Sequence, residues 1–197
     1  MSKDYSKERR HPKAPSCQQA KISLLFNGTF LYIFGNRPEP SYPAVSGRPD
    51  DKKQFNYSIE RQTIPGEGPI PEGQYWVQPS ELWENNWFKS VFFAPRSAWG
   101  NFRLAIHPYP NTQTYTRGGF FIHGGSTPGS AGCIDLTMHM DSFIEKLSNI
   151  LGGQPTCHIP LTCRIPSDHI PIRSWPLFLA RELMRDLIET LKAEQST

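Results

Sequence analysis

The chain has 197 residues, 37% of them hydrophobic and 12% aromatic, with 19 prolines and 15 glycines. That is long enough for one domain with a sizeable core, and the turn-forming content argues for short strands over a helical bundle. The net charge is +3, with acidic residues interspersed among basic ones and no aromatic-plus-basic array, which argues against a nucleic-acid partner. No run of 18 apolar residues exists, which argues against insertion into a membrane.

Residues 1–20 carry Lys3, Lys7, Arg9, Arg10 and Lys13 with little apolar content and read as a flexible basic tail, without the apolar segment of a secretory signal. Lys21 to Phe34 contains ISLLFNGTFLYIF, two β-rich runs joined by Asn27-Gly28, a hairpin with a type I′ turn. Residues 35–74 are rich in Pro, Gly and Ser, with a short strand expected at Phe55–Ile59. Pro69 to Gly73 forms a turn that leads into a strand over Gln74–Val77. Ser80–Lys89 reads as a short helix capped by Ser80, followed by strands over Ser90–Ala94 and Asn101–His107.

Met140, Phe143, Ile144, Leu147, Ile150 and Leu151 recur at helical spacing, with Thr137 as expected N-cap and Gly152-Gly153 as the stop. Residues 155–172 are punctuated by proline and read as extended. Ser174–Gln195 carries an apolar stripe from Leu177 to Leu191 and reads as a C-terminal helix, within a final segment 173–197 that packs on the domain. Four cysteines are too few for a disulfide framework. Cys157 and Cys163 lie close enough in sequence that pairing stays open. Cys157, His158, Cys163 and His169 match no zinc spacing, so no metal site is expected.

The chemistry concentrates in Gly118–Leu136, GGFFIHGGSTPGSAGCIDL. The apolar run Phe120-Phe121-Ile122 delivers His123 to a strand end, and a loop of small residues returns to Ser130-Ala131-Gly132-Cys133. A thiol becomes a nucleophile as its thiolate, and an imidazole in contact supplies the base. His123 is therefore the expected base and Cys133 the expected nucleophile. Gly124 and Gly125 are expected to leave room for substrate. With no obvious carboxylate beside it, His123 is expected to be oriented by a backbone carbonyl. Successive N–H groups around Ala131 and Gly132 suit a developing oxyanion, which gains roughly 3–4 kcal/mol per donor. Ser130 adds a hydroxyl. His107, in Ile106-His107-Pro108, is a second candidate as base or substrate contact.

These residues resemble the active-site signature of the YkuD-type L,D-transpeptidases, in which a histidine precedes a Ser/Thr-His-Gly-Cys run. By that resemblance His123, Ser130 and Cys133 are catalytic and Gly132 is the signature glycine. Pro69–Val77 is similar to the strand that opens with Thr-Pro in that family, and the likeness extends in order over residues 21–155. Ala131 replaces the usual histidine, Asp135 stands where an arginine often follows the cysteine, and the loop is short. This shortened form is similar to the YkuD-related effectors of type VI secretion.

The resemblance implies a mainly β fold, a curved mixed sheet or β-sandwich with peripheral helices, its catalytic domain over 21–172. It also implies a cofactor-free cysteine enzyme acting on peptidoglycan stem peptides. Such an enzyme cleaves the diaminopimelate–D-alanine bond (L,D-carboxypeptidase) or exchanges D-alanine for another D-amino acid (L,D-transpeptidase). Delivery by the secretion machinery into the periplasm of a target bacterium, and a periplasmic immunity protein as partner, follow from the same likeness. Arg117, Arg103 or Arg96 then replaces the family's arginine as the holder of a substrate carboxylate, and Asp135 lies at the same substrate-facing position. Two alternatives are an NlpC/P60-like amidase, with His158 or His169 as base, and a non-catalytic peptidoglycan-binding module.

Overall fold

A computed structural model describes residues 14, 19–84, 99–152 and 158–165. They form a mainly β structure in which ten strands make one sheet. The strands are β1 (Ser23–Phe26), β2 (Phe30–Phe34), β3 (Ser41–Pro43), β4 (Val45–Gly47), β5 (Gly73–Val77), β6 (Trp83–Glu84), β7 (Phe102–Pro108), β8 (Phe120–His123), β9 (Ser130–Asp135) and β10 (Ile159–Cys163). Two α-helices join them, α1 (Ile59–Gln62) and α2 (Met140–Leu151). No helix among the described residues is long and apolar enough to cross a membrane.

The strand order is β3-β2-β1-β10-β5-β7-β8-β9-β4, with β6 beside β7. The first and last strands of that order are separated in sequence by Ala44 alone. The sheet therefore curls until its two edges become one extended segment, Ser41–Gly47, which nearly closes it and covers edges that would otherwise be exposed. β1–β10 and β8–β9 are parallel and every other pair is antiparallel, so the sheet is mixed.

Alternation decides what each strand buries. Leu24, Phe26, Leu31, Ile33, Tyr75, Val77, Leu104, Ile106, Phe120, Ile122, Ile159, Leu161 and Cys163 point to one side and form the main core. The stripe of α2 (Met140, Phe143 and Leu147) enters the same cluster, and the Phe143 ring meets Tyr42 edge-on at 5.4 Å. β8 is buried at all four positions because a second, smaller cluster covers its other face. That cluster holds Ala105, Phe121 and Cys133, with Trp99 packed against it.

Several local expectations change. The β1–β2 hairpin forms, but Asn27 takes no positive φ. Its Oδ1 instead accepts from the N–H groups of Thr29 and Phe30, and only Gly28 is left-handed, at φ +92°. Phe55–Ile59 is not a strand. Asn56 Oδ1 accepts from Ser58 N, and Ser58 Oγ caps α1 through Arg61 N, so local side-chain bonds draw the chain into a helical turn.

The short strands of the 35–72 stretch are β3, which pairs with the nearby β2, and β4, whose partner β9 is remote in sequence. Ser80 caps no helix: Pro79–Glu81 is a single 3₁₀ turn, and Trp83–Glu84 pairs with β7. Thr137 does not cap α2 but starts a 3₁₀ turn with φ +50°, and His139 precedes the helix. Gly152 ends α2 in the left-handed conformation, as its position predicts.

Gln19 bridges to His158 and Ala20 N donates to the His158 carbonyl, so the sheet begins inside the segment read as tail. The remainder of that tail, the expected strand at 90–94, most of the expected 80–89 helix, Cys157 and the C-terminal helix lie outside the described residues.

One buried cation pins the irregular 62–69 stretch to the sheet. The Arg117 guanidinium donates to the carbonyls of Gln62, Pro69 and Gly68, the last two at 2.6 and 2.7 Å, and lies 5.6 Å from the Phe120 ring centroid. Arg117→Met would keep much of the volume and strand three carbonyls without this donor. The expected loss is about 3 kcal/mol in urea unfolding at neutral pH.

Candidate active site

β7, β8 and β9 position the site. Leu104, Phe120 and Ile122 turn toward the core, so pleating sends Arg103, Ala105 and His107 on β7, and Phe121 and His123 on β8, to the opposite face. Cys133 and Asp135 on β9 share that face, since Ile134 between them is in the core. The parallel register sets His123 beside Asp135 and Ile122 beside Ile134, which makes Cys133 the diagonal neighbour of His123.

β9 is not a regular strand. Adjacent Ser46 and Gly47 of β4 stand opposite Ile134 and Ser130, so Ala131, Gly132 and Cys133 form an excursion with no counterpart on β4. Gly132 permits it: its φ is +80°, and a Cβ there would meet Arg117 Nη2 and the Phe120 ring at 2.8 Å. The nucleophile candidate is thus held on a bend with backbone on one side and the Arg117 guanidinium close behind. Burial lowers the Arg117 pKa, while Tyr75 and Cys133 pull in the other direction.

The two expected partners meet. His123 is fully buried and Cys133 is 3% exposed. The imidazole Nδ1–H donates to the Gly124 carbonyl at 2.6 Å, which leaves Nε2 as the acceptor nitrogen. Nε2 has no hydrogen-bond partner among the described residues. Cys133, the diagonal neighbour across β8 and β9, lies close enough to push the His123 pKa upward. Trp99 covers the imidazole with its centroid 5.0 Å away and meets Phe121 edge-on at 6.0 Å.

A carboxylate does stand beside the histidine. Asp135 is 1% exposed, with Oδ1 4.0 Å from His123 Nδ1. The same Oδ1 accepts from Thr137 N at 2.8 Å, and Oδ2 accepts from Gly129 N at 2.9 Å. One side chain therefore ties the end of the 124–129 loop to the turn that starts α2, and holds Thr137 in a conformation unfavourable to a β-branched residue. Asp135 is directed inward, not toward substrate. The signal that reveals it is alternation: two positions beyond Cys133 on one strand, it shares the cysteine's face.

Gly124 does not leave room for substrate either. A Cβ there would meet the Thr137 carbonyl at 2.6 Å and Met140 Cβ at 2.8 Å, so the missing side chain admits the start of α2. Gly125 N donates to the Thr137 carbonyl and Ser130 lies half-buried at the start of β9. Arg117 has its donors engaged by carbonyls and is not directed to a substrate carboxylate. Arg103, opposite His123 on β7, lies 4.1 Å from the Trp83 ring centroid and 5.3 Å from that of Phe121. Arg96 is outside the described residues.

His107 is at the other end of β7. Its Nε2 is 2.6 Å from Glu81 Oε2 and its ring stacks on Trp76 at 4.2 Å, so it is not brought to Cys133. His158 adjoins β10, from which β5, β7 and β8 separate β9. Cys163 is a free thiol facing the core, its pKa raised well above the usual range by burial. No cluster of three His, Cys, Asp or Glu suited to a metal occurs among the described residues.

The Tlde1 domain matches residues 44–156, more than half of the chain, and spans the whole β8–loop–β9 unit. The chain belongs to the Tlde1 domain family. This is the type VI secretion L,D-transpeptidase effector family, so the chain is placed among peptidoglycan-targeting effector enzymes that the secretion machinery delivers. No protein with a curated description matches the chain. The Tlde1 match begins at Ala44, the residue that joins the two edges of the sheet, and so takes in β4, the strand against which the Cys133 bend is formed.

Burial is the largest influence on His123 and lowers its pKa, but the hydrogen bond and charge of Cys133, the Asp135 charge and the Gly124 carbonyl together outweigh it. The net direction is upward from 6.5. A folded-state pKa above the unfolded value stabilises the fold fully below pH 6.5, and that stabilisation is lost as pH rises through the folded value. Urea unfolding followed against pH should show this decline in the wild type and lose it in His123→Gln. In Cys133→Ala the decline should be smaller and end at lower pH, because the leading upward influence is gone.

Asp135→Asn tests the tie. Both carboxylate oxygens accept from backbone N–H groups, so an amide turns its NH₂ against one of them. The expected cost is about 2 kcal/mol in unfolding. The His123 titration seen by NMR should also move downward, which loss of the tie alone would not cause.

Proposed function

We propose that the chain is a cysteine acyltransferase that opens the bond between diaminopimelate and the terminal D-alanine of a tetrapeptide stem. The observation that carries this is the pairing of Cys133 with an imidazole whose Nδ1 is already engaged by the Gly124 carbonyl. A histidine so fixed presents Nε2 to the thiol in the tautomer that can take its proton.

The thiolate attacks the carbonyl carbon at the L-centre of diaminopimelate, and charge develops on the carbonyl oxygen. Backbone N–H groups of the Ala131–Cys133 bend are suited to receive it, because that stretch has no β4 residue opposite. The C–N bond then breaks, and the imidazolium returns the proton to the amine of departing D-alanine. The thioester passes to water, giving a tripeptide stem, or to the amine of another D-amino acid, giving exchange. Ser130, at the start of the bend, is assigned to hydrogen-bond loop or substrate. Arg103, beside His123 in the register, is assigned to the terminal carboxylate of the stem. The YkuD-type likeness of the motif supports the same roles. No step needs a metal or organic cofactor.

The NlpC/P60-like assignment to His158 is disfavoured by the three strands between it and β9. Localisation follows from the family as a proposal: synthesis in the cytoplasm, delivery into the periplasm of a target cell, and neutralisation there by an immunity protein.

Incubation with purified tetrapeptide muropeptides, read by mass, should give tripeptide stems and free D-alanine. Cys133→Ala should abolish turnover, and His123→Ala should lower it by about a thousandfold or more. Release of a whole stem peptide from the sugar would overturn the bond assignment, and full activity in Cys133→Ala would overturn the mechanism.

A further inference from the structure

Away from the residues of the Cys133 site, a cleft of about 630 Å³ opens between the turn after β2 and the C-terminal half of α2. Its floor is Ala20, Ile22, Ile150 and Leu151. Around the rim stand three cations, Lys21, Arg37 and Lys146, and one anion, Glu39. Lys146 Nζ is 2.7 Å from Glu39 Oε2, a pair that braces α2 against the 35–39 turn. Lys21 and Arg37 are exposed and have no acidic partner among the described residues. Gln19, Asn36 and Asn149 add amides that can pair with peptide groups.

We propose that this cleft is a second peptidoglycan site that holds a stem peptide other than the one being cut. The proposal rests on the peptidoglycan reading of the Cys133 site. A stem peptide carries several free carboxylates and a lone ammonium on diaminopimelate, which is the charge pattern of the rim in reverse. The volume suits a few amino-acid residues. Among the described residues the lining includes no aromatic ring on which a sugar would stack, so it favours the peptide over the glycan. None of the residues that line the cleft belongs to the Cys133 site, so the two sites can be filled at once. Peptidoglycan repeats its stems along each strand. A second site on the same polymer raises the effective concentration of substrate at Cys133 without adding a contact there.

The test uses the full chain in two assays. Retention on insoluble sacculi is measured by sedimentation in a Cys133→Ala background, and turnover of soluble tetrapeptide muropeptides is measured with Cys133 intact. Lys21→Glu with Arg37→Glu should weaken retention about tenfold. Wild-type retention should fall with added salt, while soluble turnover and the melting curve of the double variant stay as in the wild type. Unchanged retention in the double variant would overturn the proposal, as would competition by a sulfated polysaccharide as effective as that by soluble stem peptides. If the wild type turns over no muropeptide, the catalytic reading fails. Retention that still depends on Lys21 and Arg37 would then support the cleft on its own.

Discussion

The site depends on how β8 and β9 can be parallel neighbours with so little chain between them. Parallel strands ordinarily require a crossover of a dozen or more residues, yet only residues 124–129 separate His123 from Ser130. The excursion at Ala131–Cys133 resolves this. It brings Ser130 back to within one β4 position of Ile134, so the loop has a short distance to return. The strand that carries the cysteine must bend for the connection to close, and the bend is what presents the thiol diagonally to the imidazole. Gly132 meets the conformational demand, and the Gly129–Asp135–Thr137 tie holds the two ends together.

Burial of this unit has chemical consequences. His123 sits under Trp99 with water excluded, an environment that by itself would strip its proton. Cys133, Asp135 and the Gly124 carbonyl more than reverse that tendency, so the ring binds a proton more firmly than a free imidazole does. The low dielectric that penalises an isolated charge also strengthens its attraction to a partner. Asp135 contributes through its field while its oxygens are occupied by backbone, so it supports the ring without competing with Gly124 for Nδ1.

The arginines divide the work differently from the resemblance. Arg117 is more deeply buried than Arg103 and serves architecture, fixing the 62–69 stretch behind the cysteine bend. Arg103 stands on the face that carries Cys133, among aromatic rings and opposite His123. A cation that must meet a substrate needs a face and not only proximity in sequence, and the pleat of β7 decides that face.

The sequence by itself determined the mainly β class, the opening hairpin, the β5 and β7 strands, the α2 stripe with its glycine stop, and the pairing of a histidine strand end with a cysteine ten positions on. Each of these is set by period-two or period-3.6 patterning, or by a turn residue acting locally. Tertiary structure alone decided the rest. β3 and β4 are three residues each, too short for a periodic signal; β3 is held by the neighbouring β2, and β4 by β9, a partner far along the chain. Gly124 reads as spare room and is filled by the start of α2. Asp135 reads as a departure from a motif and becomes the buried carboxylate beside His123, because the register of two strands, which no local pattern encodes, sets them side by side.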